Sequence, residues 1–530
     1  SLFGSNFAPS CVIIPTNCTK TKYRSYDGSC NNLKHSDWGM AHTRYGRFLP
    51  PNYGDGISEP TVAKSGRLLP GSRYLSLAFY PDVSIEDELH TLNVMQYGQI
   101  IAHDMSLTDI VPCCTEKGQN LDSEHLPHQC RPIQLSRDDP DYSRENKSCM
   151  GFIRTTTDRD RNCSNRNQPA EQLSQVSHYL DLSIVYGNDE KITDQMRQYE
   201  YGRLRVEIRN GDTRINQNTE LTVLHVILLR EHNRIADELA RLNPHWSDEI
   251  IFQEARRIAI AEHQHITYYE WMPIILGKDY LLKSEVLYET QGFVNDYNEN
   301  MNPSVLNEHA NAAFRFFHTN IAGRLETSYG NLRLSDWNFR PKILEEGDNF
   351  DRLTRGLNTQ HQMASDRYHD EEVTLFLFKF GDTFGFDLKA IDIQRNRDHG
   401  LASYNDARKF CHLRKACDFI DFRQEMSLEN IMKLSQLYEH PDDVDLTVGG
   451  SLETNLPGTI VGPTFHCLIV RQFKITRRAD RFWYENGGET GFTSDQLKEI
   501  RKSSISRLMC DNGLKIKKMQ PRGFLTISAW

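Results

Sequence analysis

Twelve cysteines constrain this chain more than any other feature. They stand at positions 11, 18, 30, 113, 114, 130, 149, 163, 411, 417, 467 and 510, so eight fall in the first third and none between 163 and 411. An even number clustered among polar residues has the pattern of a disulfide framework, and disulfides persist in oxidising compartments. Free cytosolic thiols are the alternative. Three glycosylation sequons, Asn17-Cys18-Thr19, Asn146-Lys147-Ser148 and Asn162-Cys163-Ser164, lie in the same stretches. Sequons arise readily by chance, but this placement agrees with a secreted protein. The start, Ser1-Leu2-Phe3-Gly4, is not a signal peptide and fits a mature end left after one was removed.

Composition removes several function classes. With 62 Lys+Arg against 72 Asp+Glu the net charge is −10, the wrong sign for a dedicated nucleic-acid binder. No run of apolar residues is long enough to predict a transmembrane span. Hydrophobic residues at 38% and charged residues at 25% suit a folded globular chain. Length alone, at about 150 residues per domain, would divide the chain several times. No Gly/Ser or Pro-rich spacer and no internal repeat supports such a division. One domain over 1–530 is therefore predicted, with residues 1–80 as an irregular N-terminal arm packed on it.

The local patterns predict a mainly α fold. Apolar residues recur from Ser84 to Leu107, with Ser84 as the helix cap. Leu221, Leu224, Leu228, Ile235 and Leu239 form one stripe of a long helix that begins near 219. Ser247 can cap the next. Further helices are predicted near 304–319, 369–380, 402–411, 427–438, 464–475 and 495–509. Alternation of the strand type is best in Arg203-Leu204-Arg205-Val206-Glu207-Ile208. Residues 111–169 read as a long surface loop pinned by disulfides.

Common hydrolase, zinc and nucleotide motifs are absent: there is no His-Glu-x-x-His, Cys-x-x-Cys, Walker loop or Gly-x-Ser-x-Gly. Four other segments stand out. In Gln96-Tyr97-Gly98-Gln99-Ile100-Ile101-Ala102-His103-Asp104, Gln99 and His103 share a helix face, although a lone His on an apolar helix is more often a satisfied core residue. In Ser177-His178-Tyr179-Leu180-Asp181-Leu182-Ser183, alternate positions offer oxygen atoms of the kind a hard cation such as Ca²⁺ takes, although a polar strand gives the same string. Gly211-Asp212-Thr213-Arg214-Ile215-Asn216-Gln217 precedes the long helix. Phe314-Arg315-Phe316-Phe317-His318 and Ile391-Asp392-Ile393-Gln394-Arg395-Asn396-Arg397-Asp398-His399-Gly400 form the last pair.

Taken in order, these strings and Arg230-Glu231-His232-Asn233-Arg234 resemble the animal haem peroxidase (peroxidase–cyclooxygenase) superfamily, in the flavour of secreted arthropod members. The similarity runs from about Cys18 to about Asn512. It implies a myeloperoxidase-like helical domain around a central haem. It implies that His318 is the proximal iron ligand and His103 the distal acid–base, an imidazole with a pKa suited to moving a proton. Arg214 would be the cation that stabilises charge as the O–O bond breaks, and Gln99 the distal amide. Asp104, Ser177, Tyr179, Asp181 and Ser183 match the calcium ligands. Arg315 and Arg395 match positions near the haem propionates. The implied partners are H₂O₂ and a small electron donor, with no nucleic acid.

The chain departs from the family pattern in three places. Myeloperoxidase-like members attach haem through two acidic side chains; the matching residues here are Ala102 and Gln217. Asn218 stands where a methionine link occurs in myeloperoxidase. The expectation is haem b bound without a covalent link, with phenols, catechols or iodide favoured over chloride as donors. The residue that holds the proximal histidine is often Asn in the family and is Asp392 here, which makes the imidazole more basic. The alternative for Asp392 is a solvated or capping Asp. The resemblance also pairs Cys18 with Cys30 and Cys411 with Cys467, joins Cys113 or Cys114 with Cys130 and Cys149 in some arrangement, and sets Cys163 near an intersubunit bridge, so a covalent homodimer is among the implied partners. Cys11, Cys163, Cys417 and Cys510 stay unassigned. A rival reading of the same residues is a haem protein that binds a gas such as nitric oxide, or serves adhesion, with little turnover. No Arg-Gly-Asp or Lys-Gly-Asp string supports adhesion.

Overall fold

The computed structural model describes residues 10–108, 129–164, 167–205, 211–327 and 330–529. Helices dominate, as the periodicity predicts. Among the described residues the sheets are three two-stranded antiparallel pairs.

Two long helices form the central hairpin. Thr219–Leu242 is capped by Asn218, whose side chain accepts from the Leu221 N–H at 2.7 Å. Asp248–His265 is capped by Ser247, as predicted. This second helix runs on through a π-helical turn, Ile266–Trp271. The Leu92–Met105 helix packs on the first, and the 3₁₀ helix Ala313–Asn320 packs on Leu92–Met105. Pro463–Arg478 and Leu388–Asp398 close around that 3₁₀ helix. The apolar faces of these elements share one core cluster.

Several predicted boundaries shift. The first predicted helix begins at Leu92, not Ser84, because Glu86–Thr91 is a strand paired with His361–Met363. Val83, Ile85 and Leu89 are exposed there, so no apolar face holds a helix. Within the first 80 residues Ser72–Phe79 is helical. Only Glu371–Thr374 of 369–380 is helical, because the chain folds back so tightly that a Cβ on Gly385 would lie 2.1 Å from the Leu377 carbonyl. The 495–509 segment breaks into Ser494–Ile500 and Ile505–Asn512, since Ser504 caps a new helix. Of the 203–208 strand, Leu204 forms a single bridge to Arg197 and residues 206–208 lie outside the described residues.

Cys18–Cys30 and Cys411–Cys467 pair as expected. Cys163 pairs with Cys11 within the chain, which corrects the expectation of a bridge to a second subunit there. Cys130 and Cys149 are disulfide-bonded. Cys113 and Cys114 lie outside the described residues, and Cys417 and Cys510 are free thiols.

Candidate active site

The Leu92–Met105 helix is buried on almost every side. Between Leu92 and Met105 only Gln99 and Ala102, three residues apart on one face, are partly open. His103 adjoins them, 8% exposed. Its imidazole is neutral: burial first, then the charge of Arg214, holds its pKa well below the ordinary value. Among the described residues the buried Nδ1 of His103 has no hydrogen-bond partner.

Arg214 is fixed to the end of this helix. Its guanidinium donates to the carbonyls of His103 and Ser106, each at 2.8 Å. Asp212 grips the other edge at 2.9 and 2.6 Å. Burial opposes ionisation of Asp212, but the charge and hydrogen bonds of Arg214 outweigh it and hold the carboxyl below the usual range. A cation on the last carbonyls of a helix is also favoured by the helix dipole. Asp212 is a site residue that sequence reasoning passed over, although the Gly-Asp-x-Arg string contained it. Four side-chain amides meet nearby: the Gln99 carbonyl accepts from Gln96 and Asn218, and its amide reaches Gln217 at 3.4 Å.

The Ala313–Asn320 3₁₀ helix shows the same burial pattern. Arg315 and His318, three apart and hence on one 3₁₀ face, are its partly open residues. A Cβ on Gly98 would touch the ring of Phe317 at 2.9 Å, so glycine lets the two elements approach. His318 Nδ1 lies 2.6 Å from Asp392 Oδ2, and Arg315 donates to Asp392 Oδ1 at 3.0 Å. Asp392 is fully buried in the Leu388–Asp398 helix, which excludes the solvated alternative. Burial works against its charge, yet His318, Arg315 and Lys389 hold its carboxyl well below the usual range. With Nδ1 held, Nε2 of His318 is the nitrogen left for a metal. Arg395 is buried, donating to the Ile153 carbonyl at 2.7 Å and to Thr155.

Behind His103 lies a second polar cluster. Asp104 and Asp181 are both buried. Ser177 Oγ donates to both oxygens of Asp181 at 3.0 and 2.9 Å, and Ser183 Oγ donates to Asp104 Oδ1 at 3.1 Å. Burial and the charge of Asp181 push the pKa of Asp104 far up. The Tyr179 hydroxyl is committed to the Trp38 carbonyl at 2.9 Å, so only its backbone oxygen remains for a cation. Among the described residues no group of three or more His, Cys, Asp or Glu could hold a metal ion. Leu182, between the two halves of the cluster, has a left-handed φ of 56°, a strained conformation for a branched residue.

The residues fit a haem. Two elements, each buried except on one two-residue face, present one imidazole with an orphaned buried nitrogen and one with a carboxylate behind it. That pairing is the donor set for an axial ligand and a proton carrier.

Comparison with known proteins gives the same direction. The sequence profile described as "Animal haem peroxidase" matches residues 23–211 and 208–524. A "Peroxidase" of Drosophila melanogaster is 46% identical, over 98% of this chain and 82% of that protein. A "Chorion peroxidase" of the same species is 37% identical, over 93% of this chain and 66% of that protein. Among solved structures, Peroxidase A from Dictyostelium discoideum superposes with a TM-score of 0.80 at 26% identity, covering 95% of this chain and 100% of that one. The Oryza sativa fatty acid alpha-dioxygenase shares the fold, with a TM-score of 0.75 at 15% identity over 95% of this chain and 87% of that one.

Proposed function

The chain belongs to the animal haem peroxidase family and is a peroxidase, and from that premise we propose a secreted enzyme that holds haem b without a covalent link and oxidises small phenols, catechols or iodide with H₂O₂. The observation that carries this reading is the pair of imidazoles: His318 backed by Asp392 at 2.6 Å, and a neutral His103 with no hydrogen-bond partner on Nδ1 among the described residues. A haem held by His318 would supply the two-electron redox chemistry between peroxide and donor. The protein does the rest. Neutral His103 takes a proton from the near peroxide oxygen and returns it to the departing one. Arg214, immobilised by Asp212 and two carbonyls, stabilises the charge that develops as that bond breaks. Gln99, held by Gln96 and Asn218, orients a water or small anion beside His103. Asp392 makes the His318 ring a stronger donor. The 23% exposure of the Arg315 side chain supports a role in pairing with a propionate, while Arg395 acts as a buried charge.

The Ala102 methyl and the Gln217 and Asn218 amides offer no group for an ester or sulfonium bond. Acid–acetone should therefore extract the haem, and haem that stays with the polypeptide would overturn this part. Aromatic donors are favoured by Phe339, Phe378 and Phe380. Their rings cluster with centroids 5.0 to 6.3 Å apart, and all three have left-handed φ. Such strain gathers at functional surfaces. Phe339 N–H donates to the Asn216 carbonyl at 3.0 Å, which joins this patch to the turn that carries Arg214.

Asp104, Asp181, Ser177, Ser183 and the Tyr179 carbonyl form the Ca²⁺ site of this reading: two carboxylates, the rest neutral oxygens, suiting a hard cation. Since Asp104 follows His103, the ion steadies the proton carrier. Secretion is supported by the disulfides and by the exposure of Asn17, Asn146 and Asn162 at the three sequons. The family match runs from 23 to 524 through one shared core, which supports a single peroxidase domain. The deciding experiment is a donor panel under fixed peroxide, with His103→Ala beside the wild type. Turnover of phenols and iodide above chloride is expected, and it should be lost in the variant. Ordinary turnover in His103→Ala would overturn the assignment.

A further inference from the structure

Behind the His318–Asp392 couple, the Leu388–Asp398 helix buries a second charged side chain. Lys389 stands three residues before Asp392, on the same helix face. It is 2% exposed, and Asp392 is 0% exposed. Among the described residues the Lys389 ammonium makes no ion pair; its polar contacts are long ones, to Thr447 Oγ1 and Ser451 Oγ, each at 3.4 Å, and it sits 4.5 Å from the centre of the Tyr80 ring. Ser451 Oγ is itself engaged, donating to the Thr447 carbonyl at 2.7 Å and lying 2.8 Å from the Tyr80 hydroxyl. A cation over an aromatic face is favoured, but that contact alone does not offset the removal of an ammonium from water.

The charges around Lys389 can be counted. Asp387 is paired with Arg73 at 2.7 Å, and Arg315 with Asp392 at 3.0 Å. Lys389 and Arg315 share a cavity of about 30 Å³ with His369, Asp366 and Glu453. Burial pulls the His369 pKa down to about 3, so that ring is neutral. Asp366 accepts from the Tyr368 N–H at 2.7 Å and the Thr319 hydroxyl at 3.2 Å. Glu453 accepts from the Thr464 and Tyr404 hydroxyls at 2.6 and 2.8 Å. Burial pulls the pKa of Lys389 from 10.5 down to about 8, while Asp392 and then Asp387 act the other way, so the ammonium form prevails at neutral pH. Of the carboxylates around it, Asp392 acts on it most strongly. An apolar chain of similar size would fill the place without burying a charge, and such replacements are often neutral or stabilising. A buried cation beside the carboxylate that backs an axial histidine is therefore a candidate for function rather than stability.

We propose that Lys389 is a positioning residue for the peroxidase reaction: its charge draws on the Asp392 carboxylate, weakens the pull of that carboxylate on the His318 N–H, and so keeps the iron a stronger oxidant. The proposal rests on the peroxidase reading with His318 as the iron ligand, and adds donor range to it. A carboxylate that accepts the imidazole N–H makes the ring more electron-rich and lowers the iron potential. Lys389 opposes that effect both through Asp392 and by its own positive charge, so the two contributions have one sign. Donors that give up electrons reluctantly, such as simple phenols, then depend on Lys389 more than catechols, which give them up readily.

The test uses the haem-loaded full chain and Lys389→Met, which keeps the volume and removes the charge. Spectroelectrochemical titration should show the iron midpoint moving in the negative direction by about ten-fold in the ferric–ferrous equilibrium, about 59 mV for one electron. The iron–imidazole stretching frequency of the ferrous protein, read by resonance Raman, should rise. In the Asp392→Asn background the same substitution should shift the potential by about half as much or less; a full-sized shift there would overturn the action through Asp392. In steady-state assays Lys389→Met should lose about ten-fold in kcat/KM for phenol and stay within about two-fold for catechol. A thermal melt at or above that of the wild type certifies the fold, and Lys389→Gln takes the place of Lys389→Met if that protein does not fold. An unchanged potential and Raman band in a folded, haem-loaded variant would overturn the proposal alone. A wild-type haem spectrum in His318→Ala would overturn the reading on which it rests.

Discussion

The carboxylate of Asp392 is buried, yet it is held ionised by three cationic or proton-donating neighbours, His318, Arg315 and Lys389. Its charge therefore bears on whatever His318 binds. Asp392→Asn should lower peroxide reduction on the order of ten- to a hundred-fold, as loss of an outer partner of a metal ligand commonly does. It should also move the iron midpoint potential in the positive direction; a spectroelectrochemical titration showing no change would remove the role. A second residue carries a pH signature. Glu220 is 3% exposed, and burial pushes its pKa from 4.5 to about 8. The folded state thus keeps a proton that the unfolded chain releases above 4.5. Stability should fall as pH rises through the window between those values, and below it no loss arises. Glu220→Gln should flatten that fall, so its advantage in thermal melting over the wild type should grow from about pH 5 to about pH 9.

The elements that frame the site depend on close approach and on a charged loop. Gly98 lets the Leu92–Met105 helix sit on the ring of Phe317. Gly98→Val should separate the two, at a cost of about 1–3 kcal/mol for overpacking, and should weaken haem retention along with melting temperature. Gel filtration of the loaded protein reads haem retention and a thermal melt reads stability, and unchanged haem content would show that the contact does not set the pocket. Asp104 of the Leu92–Met105 helix and Asp181 of the 177–183 loop are both buried, and the charge of Asp181 raises the pKa of Asp104. Chelation with EGTA should lower the melting temperature of the wild type and leave Asp181→Asn indifferent. Equal responses of the two proteins would remove the calcium assignment.

Across the whole molecule, the N-terminal arm is tied to distant parts of the chain. The guanidinium of Arg24 grips Asp480 at 2.8 and 2.6 Å, and Asn31 donates to the same carboxylate. Gly28 and Gly39 both have left-handed φ; a Cβ on Gly39 would collide with the ring of Tyr179, and one on Gly28 with the Gly39 carbonyl. The Cys11–Cys163 disulfide spans 152 residues and closes this arm over the molecule. Cys11→Ser should destabilise by about 2–5 kcal/mol in denaturant titration. It should also free the Cys163 thiol, so disulfide-linked dimers should appear on a non-reducing gel only in the variant. Dimers linked through Cys163 in the wild type would contradict the intrachain pairing.

The order of short strings along the chain was enough to determine the family and the helical class, and it singled out His103, Arg214 and His318 as candidates. Those features are local: a helix period, a cap such as Ser247 or Asn218, a few residues that chemistry demands at fixed spacing. Two disulfides, Cys18–Cys30 and Cys411–Cys467, followed from the same resemblance. The partnership of Cys11 with Cys163 did not, because a crosslink over 152 residues depends on how the chain returns on itself. The strand at Glu86–Thr91 was equally hidden, since its partner at His361–Met363 is remote in sequence. The Phe339–Phe378–Phe380 patch arises only when separate segments converge, whereas Asp212 sits two residues from Arg214 and was legible in the Gly-Asp-x-Arg string. Contacts between distant residues cost chain entropy and are settled by packing, so the tertiary structure alone decided them.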